Sequence, residues 1–92
     1  MTFQDADVLL TICNVCGMDD VQSACDRLDD VGYPSWVQMT DYINEMSKNS
    51  EFAMYWDNPL EIYSVDALKD LTGQFLSTEI ASLEEILNEV SL

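Results

Sequence analysis

The chain has 92 residues, which is enough for one domain with a single modest hydrophobic core. Its 18 acidic residues outnumber three basic ones, and with no histidine the formal charge is −15. Repulsion from phosphate groups and anionic lipid therefore argues against direct binding to nucleic acid or to a membrane surface. A hydrophobic content of 48% argues against an acidic disordered tail, because such tails are poor in apolar residues.

Glycine and proline residues divide the chain into pieces of helical length. The first piece, about 5–16, is apolar nearly all round, which predicts a buried helix near the centre of the fold. The second piece, 19–31, opens with Asp19 and Gln22 at the spacing of a capping box and stops before Gly32. These end signals predict an amphipathic helix.

Ser35 is predicted to cap a third helix that extends to about Lys48 and carries Tyr42 on its apolar face. The next segment, 51–65, allows two interpretations. Its aromatic and β-branched residues favour a hairpin, whereas a helix that breaks at Pro59 and resumes needs no further strand for stability. We favour the helical interpretation and leave the hairpin open.

Ser64 is predicted to cap a fourth helix, and either Ser77 or Thr78 to cap a fifth. Together these patterns predict a mainly α fold. We expect one compact acidic domain of four to five helices over residues 1–92, with a short β-hairpin as the alternative for part of it.

Three cysteines, Cys13, Cys16 and Cys25, lie among apolar residues. An odd number favours buried free thiols in a reducing cytosol over a disulfide framework. A structural zinc site takes four Cys or His ligands, and three cysteines without histidine do not supply them. The N-terminus lacks the basic segment of a signal peptide, and no apolar run is long enough to span a membrane. We therefore predict a cytoplasmic protein without a metal.

The acidic residues follow helical spacing and lack the register of a calcium-binding loop. No Asp-Ser pair is present, which argues against the small acidic carrier proteins that attach a phosphopantetheine to serine. No catalytic motif is visible, and the absence of histidine leaves few residues for general acid–base chemistry. We predict neither an enzyme nor a cofactor.

The acid content itself needs an explanation, because a net charge of about 2–8 is enough for solubility. Acidic pairs at i, i+4 destabilise a helix, yet they recur on four predicted helices. Duplex DNA carries one charge per ~1.7 Å, so 18 carboxylates match roughly 30 Å of duplex. We interpret the helical acids as partner-binding residues: Asp19, Asp20, Asp26, Asp29, Asp30, Asp41, Glu45, Asp66, Asp70, Glu84, Glu85 and Glu89.

In its size, its acidity and its helical acid rows over about 19–89, the chain resembles the phage-encoded DNA-mimic inhibitors, which include anti-restriction and anti-CRISPR proteins. That group shares no sequence motif. The resemblance implies a stoichiometric inhibitor in the cytoplasm of the host cell. Such an inhibitor would bind the basic DNA-reading cleft of a host defence protein in competition with nucleic acid.

Two other interpretations stay open. An immunity protein or antitoxin would neutralise a basic nuclease toxin through an exposed aromatic anchor within one compact acidic patch. A plain intracellular adaptor or oligomerisation module would show evenly scattered acids. For Trp36 we favour a core position over an anchor position. The candidate anchors are Tyr33, Trp36, Tyr55, Trp56 and Tyr63.

Overall fold

A computed structural model describes residues 1–60 and 62–90, and it confirms the mainly α fold. The described residues form five α-helices and one short 3₁₀ turn, and they contain no β-strand. None of the described helices is long and apolar enough to cross a membrane. The helices are α1 (Phe3–Cys16), α2 (Val21–Val31), α3 (Tyr33–Asn49), α4 (Val65–Gln74) and α5 (Ile80–Val90), and the 3₁₀ turn is Ala53–Tyr55.

Helix α1 is the central element, packed against α2, α3 and α5. Thr2 begins it with a capping box, in which its hydroxyl accepts a hydrogen bond from the Asp5 amide at 3.1 Å. Gly17 ends it at φ 68°, a left-handed conformation that glycine adopts without strain. The expectation of a buried central helix is confirmed, because α1 supplies five fully buried apolar residues: Ala6, Val8, Leu9, Ile12 and Cys13.

The predicted capping box of Asp19 and Gln22 is wrong. Asp20 is the N-cap of α2, and its two carboxylate oxygens accept from the Ser23 amide at 2.7 Å and the Ser23 hydroxyl at 3.0 Å. Asp19 instead offers its backbone carbonyl to the Ile80 amide at 2.9 Å. The helix starts later than predicted because the chain before it pairs with the connection between α4 and α5.

The connection between α2 and α3 is also tighter than the sequence predicts. Gly32, at φ 100° and ψ −164°, is the sole residue between the two helices. Ser35 is therefore inside α3 and does not cap it. Its hydroxyl donates to the carbonyls of Leu28 at 2.6 Å and Gly32 at 2.8 Å, so it ties α3 back to the end of α2.

The segment predicted as a hairpin or a resumed helix, 51–65, is neither in residues 51–60 and 62–64, and Val65 already belongs to α4. It consists of the 3₁₀ turn and an irregular chain held by side chains of two helices. Asn44 of α3 donates to the Tyr63 carbonyl at 2.8 Å and accepts from the Tyr63 amide at 3.2 Å. Gln4 of α1 accepts from the Asp57 amide at 3.3 Å. These polar contacts take the place of a regular element.

Ser64 caps α4 as predicted, with its hydroxyl accepting from the Ala67 amide at 3.1 Å. The predicted caps of the last helix are wrong, because α5 starts at Ile80 and neither Ser77 nor Thr78 directly precedes it. The Thr78 carbonyl accepts instead from the Val21 amide at 3.0 Å. As with Asp19, a residue that the local sequence predicts as a helix cap makes a tertiary backbone hydrogen bond instead.

Candidate partner-binding surface

The structure distributes the twelve predicted partner-binding acids over α2, α3, α4 and α5, with Asp19 and Asp20 just before α2. All twelve except Asp20 are exposed. Because residues four apart lie on one helix face, each of the four helices presents two like charges close together. These pairs are Asp26 with Asp30, Asp41 with Glu45, Asp66 with Asp70, and Glu85 with Glu89.

Two of the predicted binding acids also have structural roles that the sequence did not reveal. Asp20 is the half-buried cap of α2. Asp29 accepts a hydrogen bond from the indole nitrogen of Trp36 at 2.7 Å, which joins α2 to α3. Changing either carboxylate would disturb the fold as well as the surface, so neither is a clean probe of partner binding.

The three cations do little to neutralise this surface. Lys48 Nζ lies 3.6 Å from Glu45 Oε2, and an exposed pair of this kind contributes about 0–1 kcal/mol. Lys69 Nζ lies 5.3 Å from the centre of the Trp36 ring. Arg27 is exposed and lines a groove beside α3. The three cations therefore leave most of the acidic charge uncompensated.

The charge can be compared with that of DNA through the size of the molecule, which measures 37 × 26 × 20 Å. Fifteen net charges over the 37 Å axis amount to one per about 2.5 Å, against one per ~1.7 Å in duplex DNA. The linear charge density of the protein is therefore of the same order as that of a duplex.

Among the aromatic candidates, both tryptophans are buried. The core position favoured for Trp36 is confirmed at 3% exposure. The prediction of Trp56 as an anchor is wrong, because it is 5% exposed and its indole nitrogen donates to Asp7 Oδ2 at 3.0 Å. Tyr63 is half-buried beside Gln4, and burial raises the pKa of its hydroxyl to about 12.

Three tyrosines are exposed, and sequence reasoning placed one of them wrongly. Tyr33 and Tyr55, both candidate anchors, are 64% and 44% exposed. Tyr42, assigned to the apolar face of α3, is 53% exposed. Tyr42 continues the spacing of Met39, but it lies at the lateral edge of the buried stripe of α3 and stays exposed there.

Tyr42 lines an apolar groove of about 320 Å³ formed by α1, α2 and α3. Val15 and Val31, at 53% and 70% exposure, form its outer walls. Exposed apolar side chains that lie together in this way mark a candidate interaction site. We call this feature the Tyr42 groove, and its main lining residues are Val15, Arg27, Leu28, Val31, Met39 and Tyr42.

The cysteines are free thiols: Cys13 and Cys25 are buried, and Cys16 is half-buried beside the Tyr42 groove. Burial, with a smaller contribution from neighbouring Cys16, raises the pKa of Cys13 to about 11. Burial also raises the pKa values of Cys16 and Cys25. Within 1–60 and 62–90, no group of Cys, Asp or Glu is arranged to hold a metal ion.

Comparison with known proteins finds no matching family model, no matching curated protein and no matching solved structure.

Proposed function

We propose that this protein is a stoichiometric inhibitor that occupies a basic nucleic-acid-binding surface of a host defence protein by imitating the charge of DNA. One observation carries the proposal: exposed carboxylates on four helices far outnumber the three cations of the chain. A surface of this charge repels nucleic acid and attracts a protein surface built to hold it.

Electrostatic attraction of this kind divides the binding free energy among many weak exposed charges and speeds association. It requires no catalysis and no cofactor. It also gives a role to the acidic pairs at i, i+4. These pairs lower helix stability, and they strengthen binding to a basic surface. Cytoplasmic action in a phage-infected cell belongs to the same proposal.

The experiment is affinity capture from bacterial lysate on immobilised protein, at low and at high salt, followed by elution with duplex DNA. The proposal expects nucleic-acid-binding proteins with basic surfaces that both salt and DNA release, because exposed charge pairs are screened beyond a Debye length. Captured proteins that neither salt nor DNA releases would contradict it.

Two charge-reversed variants show which face binds. One changes Asp19, Asp26 and Asp30 to lysine on the α2 side, and the other changes Glu84, Glu85 and Glu89 to lysine on α5. They alter the net charge equally, so unequal loss of capture identifies the binding face. Capture by both variants as strong as that by the wild-type protein would contradict charge mimicry, provided that circular dichroism shows both variants folded.

Neutralisation of a basic nuclease toxin, as by an immunity protein or antitoxin, is the second candidate function. The observation in its favour is the exposed Tyr42 among the acids of α2 and α3. A toxin complex would lose most of its affinity with Tyr42→Ser alone, whereas a charge mimic would lose more with reversal of an acidic row.

A further inference from the structure

We infer that the Tyr42 groove receives an apolar side chain presented by a basic partner protein. Recognition would then combine one apolar anchor site with exposed acids on the same helices. The inference rests on the proposed function, from which it takes the basic character of the partner. It adds that the protein binds through the face that holds the Tyr42 groove and that the partner presents an apolar side chain.

The groove has the size and lining of an anchor site. Its volume of about 320 Å³ exceeds that of a single side chain, and Leu28 and Met39 form a buried apolar floor. Val15, Val31 and Tyr42 stand around this floor, each at least half exposed. Burying an apolar side chain in this groove removes its surface from water, so an occupant gains affinity that charge alone does not supply.

The charged residues at and beside the groove define the chemistry of the occupant. Arg27 is the charged residue that lines the groove itself, and acids lie on the flanks of the two helices, where exposed Asp30 directly precedes the lining residue Val31 on α2. On α3, exposed Asp41 directly precedes Tyr42.

Beyond Tyr42 the surface continues into an open hollow of about 290 Å³ that Glu45 also lines. An occupant therefore complements this face when its apolar side chain enters the groove and its lysine or arginine residues lie over the flanking acids, away from Arg27.

The same charges argue against a second copy of this chain as the occupant. Each copy carries −15, and a two-fold interface on this face would place the acids of α2 and α3 against their own counterparts. Like-charge contacts of this type cost free energy at an interface. A partner of opposite charge removes that cost. An uncharged partner would gain nothing from the acidic charge.

The test uses two fluorescent synthetic peptides with identical lysine content. One carries phenylalanine at its centre, and the other carries serine there. Each is titrated into the wild-type protein, Tyr42→Ser, Val31→Ser and Tyr33→Ser, with fluorescence anisotropy giving the dissociation constant. Tyr33 is the matched control, because it is an exposed tyrosine of the same helix that does not line the groove.

We expect the wild-type protein to prefer the phenylalanine peptide roughly tenfold, in line with partial burial of one aromatic ring. Tyr42→Ser and Val31→Ser should lose this preference while keeping affinity for the serine peptide, and Tyr33→Ser should keep both. No variant changes the net charge, so screening effects cancel in the comparison.

Equal binding of the two peptides to the wild-type protein would overturn the groove as an anchor site and leave the charge-based function intact. No binding of either peptide at low salt would overturn the inference and count against a basic partner. A concentration-dependent dimer in sedimentation that Tyr42→Ser abolishes would assign the groove to a second copy and overturn it as well.

Discussion

Trp56 donates its indole N–H to Asp7 Oδ2 at 3.0 Å, and both side chains are buried. The bond joins the irregular chain after α3 to the central helix. Burial raises the pKa of Asp7, nearby Glu51 raises it further, and the hydrogen bond from Trp56 acts in the opposite direction. The core therefore holds a carboxyl group whose charged form is disfavoured by its surroundings.

Asp7→Asn should make stability less dependent on pH. The folded-state pKa of Asp7 is raised, so its contribution to stability is fully present below the unfolded pKa of about 3.9 and is lost as pH rises through the folded pKa. The free energy of unfolding of Asp7→Asn, relative to the wild-type protein, should therefore increase between about pH 4 and pH 7. Urea titrations across this range measure it.

Trp56→Phe is the complementary change, because it keeps the aromatic ring and removes the donor. It leaves the buried Asp7 carboxyl without this hydrogen bond, which should cost about 1–3 kcal/mol at neutral pH. The cost should be smaller in Asp7→Asn, since an amide is cheaper to bury than a carboxylate. Equal costs in both backgrounds would show that the two residues are not coupled.

Asp20→Ala should destabilise the protein by about 1 kcal/mol, because it removes the side-chain cap of α2. Asp19→Ala is the matched control. It removes the same charge from the neighbouring residue, whose structural contact is made by its backbone carbonyl. Thermal unfolding of both variants tests the boundary of α2, and similar melting temperatures would contradict the assignment of Asp20 as the cap.

Sodium chloride should stabilise this protein against unfolding. The acidic pairs on α2 to α5 repel one another, and salt screens that repulsion. At roughly 0.2–0.5 kcal/mol for each of the four pairs, the gain should be about 1 kcal/mol.

Calorimetry at low and high salt measures the gain. A variant with Asp26→Asn, Asp66→Asn and Glu85→Gln should gain less. A salt response as large as that of the wild-type protein would assign the effect to something other than these pairs.

The three thiols should react slowly and in a defined order. The pKa of Cys13 is about 11, so little thiolate exists at neutral pH, and Cys13 and Cys25 are buried. Half-buried Cys16 should therefore be labelled first by a maleimide, as read by mass spectrometry.

Chelators should leave the circular dichroism spectrum unchanged. Stoichiometric zinc in native mass spectrometry, or early labelling of Cys13, would contradict this view of the thiols.

Where helix ends depend on local chemistry, the sequence predicted them. Ser64 caps α4 because its hydroxyl reaches an amide three residues later, and Gly32 ends α2 because it adopts a positive φ. The predicted starts of α2 and α5 failed because backbone distant in sequence intervened. The Asp19 carbonyl accepts from the Ile80 amide and the Thr78 carbonyl accepts from the Val21 amide, so the segments before the two helices pair with each other.

The sequence by itself determined the charge, the helical class and the central position of α1, because composition and apolar periodicity do not depend on which helices meet. Only the tertiary structure decided that Trp56 is buried on Asp7 while Tyr42 remains exposed beside an open groove. A pattern shows that a helix face is apolar, but how much of that face is covered depends on how the neighbouring helices pack against it. Here α1 and α2 leave the Tyr42 edge of the α3 stripe uncovered, and the proposed anchor site lies there.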